Sequence, residues 1–343
     1  MAFSTETWGG WDYMPRAWPR WIDATDGVLL VGAVGSDGAL DAEGAALPAG
    51  TVVAVVRLAM PAAGEGWLEG IRVDPRVRAM DVATDLQVAE LHWAAANGAR
   101  IVRYATSARN EGSMRLGARG GFELIARFEG IAWEPSLPES DDETGRRRSG
   151  FLPEVQAEAR LRRHDLVDRL ASAGLVARSS QFDGLWAIVS ADLSFTEGQR
   201  LYEPRPWALE ELTRDKFAAH LARGEVIVRS KNEKSVAIIV KDIAPAEEAA
   251  VRLALMCGAA GAAFELMEQV RSTTEAPVRF RFALGAPVAS GFEDRYRSAG
   301  YETSEWPLHI LARPLDEAHP VPPVDPAALI LADQPGAVIT PAQ

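Results

Sequence analysis

The chain has 343 residues, with 36 lysines and arginines against 48 aspartates and glutamates, and 48% of its residues are apolar. At about 100–200 residues per domain, this length predicts two domains with enough apolar material for two cores, so neither a disulfide nor a structural metal is required. The net charge of −12 repels phosphate backbones and anionic lipid, which argues against nucleic acid and membranes as partners.

The sequence favours a cytoplasmic protein. No apolar run approaches the roughly 18 residues of a membrane helix, and charged residues interrupt the first 21 positions, so we expect no signal peptide there. Cys257 is the single cysteine, and a lone thiol fits a reducing compartment. The five histidines lack the spacing of metal ligands, so we expect no metal site.

The first half reads as strand, strand, strand, helix, strand, helix, strand. Helical spacing of Val82, Leu86, Ala89 and Trp93, stopped by Asn97-Gly98, predicts the first helix. Alternating or continuous apolar runs predict the strands. The other predicted elements are the strands Thr51–Met60, Trp67–Val73, Ile101–Thr106 and Phe122–Trp133 and the helix Asn110–Arg119.

A polar segment over residues 136–150, with three consecutive acids and then three arginines, predicts a linker. A similar order of elements follows it, which suggests an internal duplication. The predicted elements are a helix over about Pro153 to Ala173, a hairpin of Val226–Arg229 and Ser235–Ile243, strands Ala250–Met256, Val278–Ala283 and Tyr301–Ala312, and helices Ala259–Arg271 and Val288–Ser298.

The end of the chain, residues 314–343, contains seven prolines and predicts neither a helix nor a central strand. It either hangs free or docks on a surface. Helices inserted between strands predict an α+β fold of three layers, α/β/α. The expected domains are residues 1–135 and 151–313, with the linker 136–150 between them and the proline-rich tail 314–343 after them.

The stretch from Trp67 to Leu86 carries the most chemical information. A strand runs through a tight loop directly into a helix, so the amides of residues 78–83 converge at a helix N-terminus. Such amides and the helix dipole bind pyrophosphate, and Arg76 and Arg78 add positive charge at the rim. The spacing is equally typical of an ordinary connection between a strand and a helix with two solvated arginines.

Three blocks in this order resemble the GCN5-related N-acetyltransferase superfamily. They are Leu68-Glu-Gly-Ile-Arg-Val-Asp-Pro-Arg-Val-Arg78, Ala99-Arg-Ile-Val-Arg-Tyr-Ala-Thr-Ser-Ala-Arg-Asn-Glu-Gly-Ser113 and Arg119-Gly-Gly-Phe122, within a resemblance that covers about Val52 to Phe128. The resemblance implies a mixed sheet that splays at its centre, with acetyl-CoA as co-substrate between the strands Trp67–Val73 and Ile101–Thr106.

The same resemblance assigns the contacts with coenzyme A. The phosphate-loop pattern of the family falls on residues 78–83, and the strand before it pairs with the pantetheine arm. By this assignment Asn110 lies near the thiol end. The implied site residues are the main chain of Ile71, Arg72 and Val73 for the pantetheine, the amides of Met80, Asp81, Val82 and Ala83 for the pyrophosphate, and Arg76 and Arg78 at the rim.

Two residues depart from the family pattern at functional positions. Asp81 stands where the family has glycine, and a carboxylate there would repel pyrophosphate unless its side chain turns outward or caps the helix near Thr84. Gly117 stands where many members carry the tyrosine that protonates the departing thiolate, although bulk water can serve as the acid.

The second half resembles the same superfamily only faintly, over about Gly224 to Leu311. Its loop, Met256 to Ala263, is shorter and has no arginine, and the pair Gly258 and Gly261 is more typical of close helix packing. Tyr296 nevertheless falls in the acid position that Gly117 leaves vacant. The resemblance therefore implies two tandem domains, of which the second is degenerate.

Acetyl transfer to an amine needs a neutral amine close to the carbonyl carbon and a donor for the developing oxyanion. We predict Glu69 as the base, because residues 67, 69, 71 and 73 of an extended strand share one face, and the resemblance implies a carboxylate on that face that usually acts through water. The alternative is a structural glutamate that pairs with Arg103. Four of the ten tryptophans lie within the first 21 residues, where they could form an aromatic wall for an amine or simply pack the first helix.

These observations predict a tandem N-acetyltransferase that transfers the acetyl group of acetyl-CoA directly to a primary amine on a small molecule or peptide. The alternative function is a non-catalytic acyl-CoA-binding or interaction protein, in which Asp81 and Gly117 are substitutions that accompany the loss of catalytic activity. A third arrangement places catalysis in the second half, with Tyr296 as the acid.

Overall fold

The computed structural model describes residues 12–133 except 79, 166–229 except 167 and 206, 235–241, 251–274, 278–283, 289–303, 307–323 and 338–339. The predicted linker 136–150, most of the predicted helix over 153–173, and two of the four N-terminal tryptophans, Trp8 and Trp11, lie outside these residues. Across the described parts, the structure contains no helix with the length and apolar character needed to cross a bilayer.

The chain folds into two compact units. Unit 1 comprises residues 1–125 and 310–343, and unit 2 comprises residues 126–309. This division differs from the predicted domains 1–135 and 151–313 with a separate tail. Residues 126–135 of the predicted first domain belong to unit 2, and residues 310–343 belong to unit 1. The prediction followed the order of the sequence, whereas strand partners are set by pairing between distant residues.

The helices and strands are numbered in chain order. The helices are α1 Met14–Ile22, α2 Val82–Ala96, α3 Glu111–Arg119, α4 Phe182–Ala191, α5 Leu193–Glu197, α6 Arg214–Ala222, α7 Ala260–Ser272 and α8 Ala289–Ser298. The strands are β1 Gly27–Ala33, β2 Ala39–Leu40, β3 Ala46–Leu47, β4 Val52–Ala62, β5 Glu65–Val73, β6 Ile101–Ser107, β7 Glu123–Trp133, β8 Leu201–Arg205, β9 Ala208–Glu211, β10 Val226–Arg229, β11 Ser235–Lys241, β12 Val251–Gly258, β13 Val278–Ala283, β14 Glu302–Thr303, β15 Leu308–Pro314 and β16 Val338–Ile339.

Unit 1 is built on a mixed sheet with the strand order β15-β6-β5-β4-β1-β16. The pairs β1–β4 and β4–β5 are antiparallel, whereas β5–β6 and β1–β16 are parallel. Helix α2 covers one face of this sheet, where Leu86 packs with Leu58 and Leu68. Helix α1 covers the other face, where Met14 packs with Val55. Unit 1 therefore has three layers.

Unit 2 repeats this plan with the strand order β10-β11-β12-β13-β7, and β14 also pairs with β7. The pair β12–β13 is parallel and the other four pairs are antiparallel. One face of its sheet packs on α7 and α8, with Leu266 and Tyr296 in that core. The other face packs on α4 and α6, with Val189 and Phe217. The predicted α+β class, with two tandem halves of similar architecture, is confirmed.

The described part of the predicted tail docks on unit 1. The amide of Leu315 donates to the carbonyl of Arg100 at 2.9 Å, and the guanidinium of Arg313 donates to the carbonyl oxygens of Gly120 and Pro320. The Nε2 atom of His92 lies 2.7 Å from the carbonyl oxygen of Pro322. All of these contacts are accepted by backbone carbonyl oxygens. Because every residue has a carbonyl, the amino-acid composition of the tail does not predict where it docks.

Candidate functional site in unit 1

The sheet of unit 1 opens between β5 and β6. Their parallel pairing covers Glu65–Trp67 against Ile101–Arg103 and then stops, although both strands continue. The facing edges of residues 68–73 and 104–107 therefore leave the ladder. Backbone donors and acceptors along such an edge are available to an extended ligand that carries amides. The structure thus shows the splay that the resemblance implies.

A β-bulge lies on β5 at the point where the splay begins. Arg57 pairs with Glu69 and Val55 pairs with Arg72, so one residue of β4 faces two residues of β5. Gly70 adopts a φ of +73°, and a Cβ there would lie 2.2 Å from the ring of Trp21. Glycine is therefore required at this bend by both its conformation and its contact with α1.

The bulge changes which residues share a face of β5. Glu69 and Arg72 lie on the face that α1 covers, whereas Ile71 and Val73 pack with Leu68 in the core under α2. The prediction that residues 67, 69, 71 and 73 share one face is therefore wrong beyond Gly70, because the extra residue reverses the alternation. The carboxylate of Glu69 consequently lies on the face opposite to α2 and the loop before it.

The structural alternative predicted that Glu69 pairs with Arg103, and the structure does not show this pair. Arg103 instead donates to Glu65 at 2.6 Å, and Glu69 accepts from Arg57, which also pairs with Asp26. Arg57 is buried, with 3% of its surface exposed, whereas the side chain of Glu69 is 23% exposed. The guanidinium thus fixes the position of a carboxylate that solvent still reaches.

An aromatic and charged wall lies beside Glu69. Arg72 donates to both carboxylate oxygens of Asp12, at 2.7 and 2.9 Å, and its Cζ lies 5.3 Å from the ring of Tyr13. Burial raises the pKa of Tyr13 to about 12. Of the predicted tryptophan wall, Trp21 lies on α1 and is buried against Leu29 and Val55 of the sheet, and Trp18 is half-buried against the same core. The described part of the wall is therefore chiefly packing, with Tyr13 and Arg72 as its polar members.

The loop before α2 presents amide groups. Asp81 precedes the helix with a φ of 58° and a ψ of 5°, and its side chain makes no capping bond. The first amides of a helix, here those of Val82 and Ala83, have no intrahelical partner. The amide of Met80 is already used, because it donates to the carbonyl of Val77 at 3.4 Å. Of the four predicted amide donors, Met80 is thus the one that has an acceptor among the described residues.

The charged residues of this loop point away from it or are paired. The carboxylate of Asp81 turns outward and accepts from Arg119 at 3.2 Å, with 71% of its side chain exposed. Arg76 pairs with Asp74 at 2.7 Å, while Arg78 is exposed. The left-handed backbone at Asp81 is a conformation that glycine adopts without strain, and the outward carboxylate leaves the loop amides of Val82 and Ala83 accessible.

We expect that Asp81→Gly changes affinity for coenzyme A by less than about threefold, because the carboxylate faces Arg119 and exposed charge is screened. The same change should raise the free energy of unfolding by up to about 1 kcal/mol, since glycine adopts a left-handed φ without strain. Asp81→Asn removes the charge alone and serves as the control. Calorimetric titration that finds tenfold tighter binding in both variants would show that the carboxylate faces the phosphates.

Asn110 and Gly117 lie on and beside α3. The side chain of Asn110 caps this helix by accepting from the amide of Ser113 at 3.1 Å. A Cβ on Gly117 would lie 1.9 Å from the hydroxyl oxygen of Tyr104, which donates to the carbonyl of Ser113 at 3.0 Å. Gly117 therefore makes room for a phenol that β6 supplies. Burial raises the pKa of Tyr104 to about 12, so this phenol keeps its proton at neutral pH.

Glu90 is a buried carboxyl group that sequence analysis missed. It lies at the centre of the apolar face of α2, between Leu86 and Ala94, and is 1% exposed. Burial, with a smaller contribution from Glu69, raises the pKa of Glu90 well above its ordinary value. Its Oε1 has no hydrogen-bond partner in the described part of the chain. An acid at helical spacing among Leu86, Leu91 and Ala94 was the available signal.

Unit 2 has a similar splay but a blocked loop. The pairing of β12 with β13 stops at Leu253 and Phe280. In unit 1 the amides of Val82 and Ala83 have no acceptor within the described ranges, whereas the amide of Gly258 in unit 2 donates to the carboxylate of Asp192 at 2.6 Å. An internal carboxylate thus occupies a position where an anion could bind.

The two candidate catalytic residues lie in different units. Tyr296, in unit 2, is 0% exposed and packs on Phe264 and Tyr301, and burial raises the pKa of its phenol. Cys257 is also buried, and burial raises the pKa of its thiol. Among the described residues, no cluster of histidine, cysteine or acidic side chains could hold a metal.

No protein-family model and no curated protein matches this sequence. Among solved structures, a candidate acetyltransferase from Thermoplasma acidophilum is 13% identical, with 88% of this chain and 84% of that chain covered and a TM-score of 0.46. A GCN5-related N-acetyltransferase from Sphaerobacter thermophilus is 13% identical, with 78% of each chain covered and a TM-score of 0.43. A tandem GCN5-related N-acetyltransferase of the clavulanic acid biosynthesis pathway is 12% identical, with 80% of this chain and 81% of that chain covered and a TM-score of 0.36. In its motifs and in its fold, the chain is similar to the GCN5-related N-acetyltransferases, including a tandem protein of that kind.

Proposed function

We propose that this protein is an N-acetyltransferase that moves the acetyl group of acetyl-CoA to a primary amine, and that unit 1 holds the site. The observation that carries the proposal is the splay between β5 and β6, which begins after Trp67 and continues past the Gly70 bulge. It leaves two strand edges open beside a helix N-terminus whose first amides have no acceptor in the described part of the chain. These features suit an extended, amide-containing arm that ends in a diphosphate.

In this proposal coenzyme A and the amine bind on opposite faces of β5. The core under α2, the loop before it and Tyr104 lie on the side proposed for coenzyme A, which brings the activated acetyl group as a thioester. Glu69 lies on the opposite face with Arg57 and Arg72, where the amine would approach. An amine reacts only when neutral, and Glu69, directly or through a water, would accept its proton. Main-chain amides at the bulge, around Ile71, would meet the developing oxyanion.

Acetyl-CoA binding and turnover test the proposal in one pair of experiments. Calorimetric titration of the full chain with acetyl-CoA measures binding, and thiol release against a panel of amines measures transfer. We expect both. Binding without transfer to any amine supports the alternative of a non-catalytic acyl-CoA-binding protein, whereas the absence of binding overturns both functions.

We expect Glu69→Gln to lower kcat/KM about 10²-fold, the lower end of what a general base contributes, while affinity for acetyl-CoA changes less than twofold. The amide keeps the shape of the side chain but cannot accept the proton. Glu123→Gln, which changes an exposed glutamate at the start of β7, is the matched control. A rate for Glu69→Gln within threefold of the parent protein would remove Glu69 from the mechanism.

We also propose that Tyr104 stands in for the tyrosine absent at Gly117: its phenol gives up the hydrogen bond to the Ser113 carbonyl and turns its single proton to the departing sulfur. Tyr104→Phe should lower kcat about tenfold, with KM for acetyl-CoA nearly unchanged. Loss of the bond to Ser113 costs about 1 kcal/mol of stability, so thermal unfolding separates a structural effect from a kinetic one. If Tyr296→Phe lowers kcat and Tyr104→Phe does not, the acid lies in unit 2 instead.

A further inference from the structure

The carboxylate of Asp81 does not bind the helix amides that follow it in the chain. Asp81 directly precedes α2, and an aspartate in that position commonly accepts from the second or third amide of the helix. Its side chain makes no such bond. Within the described residues, its carboxylate accepts from Arg119 alone, at 3.2 Å, and the amides of Val82 and Ala83 have no acceptor.

Unit 2 shows the opposite arrangement of an aspartate and helix amides. Asp192 precedes α5, and its Oδ1 accepts from the amides of Ser194 and Phe195 at 2.8 and 3.3 Å. Its Oδ2 accepts from the amide of Gly258 at 2.6 Å, in the loop before α7. In the described part of the chain, no arginine or lysine forms an ion pair with Asp192. This carboxylate is therefore an internal anion on helix amides.

The fold fixes the position of Arg119 at the side of α2. Arg119 is the last residue of α3, where the helix dipole favours a cation. The next residue, Gly120, lies against α2, since a Cβ there would be 2.1 Å from the Oε1 of Gln87. The carbonyl of Gly120 also accepts from Arg313 of β15. These contacts bring the guanidinium to Asp81, although the two residues lie 38 positions apart in the chain.

The ion pair and a helix cap are alternatives of similar strength for Asp81. The side chains of Arg119 and Asp81 are 57% and 71% exposed, and an exposed ion pair shifts an equilibrium by only a few fold. An aspartate cap shifts it by a similar factor, about fivefold. A move to the cap would also release Asp81 from its left-handed φ of 58°, since cap residues are extended. The loss of Arg119 is therefore sufficient to favour the cap, and amides that bind this carboxylate cannot also bind a second anion.

We propose that Arg119 is a positioning residue for cofactor binding. It holds the carboxylate of Asp81 away from the first amides of α2 and so keeps the loop open for a diphosphate. Arg119 acts through Asp81 and does not need to touch the ligand. This inference rests on the function proposed for unit 1, because the diphosphate is that of coenzyme A. It also explains how an aspartate can stand where the resemblance implies glycine.

Calorimetric titration of the full chain with coenzyme A tests this dependence in a set of variants. Arg119→Gln should weaken binding about three- to tenfold. The double variant Arg119→Gln/Asp81→Gly should bind within twofold of Asp81→Gly, because no carboxylate remains to be held. Arg115→Gln removes an exposed arginine one turn earlier on the same helix. It is the matched control and should bind within twofold of the parent protein.

The double variant separates positioning from direct attraction. If Arg119 attracted the diphosphate itself, Arg119→Gln would weaken binding by the same factor in the parent protein and in Asp81→Gly. Equal weakening in both backgrounds, or unchanged binding of Arg119→Gln, would overturn the proposal.

Amide NMR spectra of the ligand-free chain give a second measurement that does not depend on coenzyme A. In Arg119→Gln the amide protons of Val82 and Ala83 should move downfield, because they gain a carboxylate acceptor, and the double variant should lose this shift. Unchanged resonances elsewhere show that the variants are folded. A parent protein that does not bind coenzyme A would overturn the proposed function, whereas unchanged amides in Arg119→Gln would overturn the role of Arg119.

Discussion

A chain that ends at His309 is expected to lose the fold of unit 1 while unit 2 stays folded. The deleted residues include most of β15, which lies beside β6 in the sheet of unit 1. Ile310 and Leu311 are 0% and 2% exposed, and burial of each such side chain contributes about 1.5–3 kcal/mol. The edge of β6 would also lose its backbone partners.

The lost interactions approach the net stability of a whole domain, which is about 5–15 kcal/mol. Arg313 adds to the effect, because its guanidinium is buried against the carbonyl of Gly120. Hydrogen exchange followed by mass spectrometry should show fast exchange in β4 and β5 and continued protection in β12. Exchange resolved by peptide is needed because a protein of two units does not unfold in a single step.

A chain that ends at Pro323 is the control for this deletion. It keeps β15 and, among the described residues, removes only Val338 and Ile339 of β16, so we expect a much smaller loss of protection in unit 1. Leu311→Ala gives an independent measure and should cost about 2–5 kcal/mol. Native protection of β6 in the chain that ends at His309 would contradict the assignment of β15 to unit 1.

Local patterns were sufficient for several elements. The predicted strand Val278–Ala283 agrees with β13 at both ends, and the helix that begins at Val82 ends beside Asn97, as the stop signal predicts. Both elements are defined by hydrophobic periodicity and by residues at their own ends. The open position between β5 and β6 followed from the resemblance, not from periodicity.

Long-range pairing was not accessible from the same patterns. The pattern predicts one strand over Tyr301–Ala312, but this segment contributes to β14, in unit 2, and to β15, most of which belongs to unit 1. The helices α4 and α6 and the hairpin β8–β9 were missed. Strand partners depend on residues far apart in the chain, so apolar alternation identifies a strand without identifying its neighbour.

The candidate site shows the same limit at the level of single residues. The bulge at Gly70 reverses the faces of β5, and a Gly-Ile-Arg sequence gives no sign of the extra residue that β4 leaves unpaired. The sequence pattern predicts that Gly117 replaces a tyrosine, whereas the structure places the hydroxyl of Tyr104 where a side chain at position 117 would lie. Both features depend on a neighbouring strand, whose register the local sequence does not determine.

Replacement of Glu90 by leucine is expected to stabilise unit 1 by about 1–3 kcal/mol at pH 7. The carboxyl group is buried in the core under α2, with one oxygen that has no partner among the described residues. A buried polar group in that state costs its desolvation free energy, and an apolar side chain of similar volume removes this cost. Hydrogen exchange of peptides from β4 and β5 would measure the gain.

The pH dependence separates this explanation from a simple gain in packing. Burial raises the folded-state pKa of Glu90 well above 4.5, so the folded protein holds a proton that the unfolded chain releases. Its contribution is fully present below pH 4.5 and declines as the pH rises through the folded pKa, by up to about 1.4 kcal/mol per pH unit. Glu90→Gln cannot titrate, so unit 1 of that variant should lose this decline while its stability at pH 4.5 stays close to that of the parent. A decline as steep in Glu90→Gln as in the parent protein would assign the pH dependence to another group.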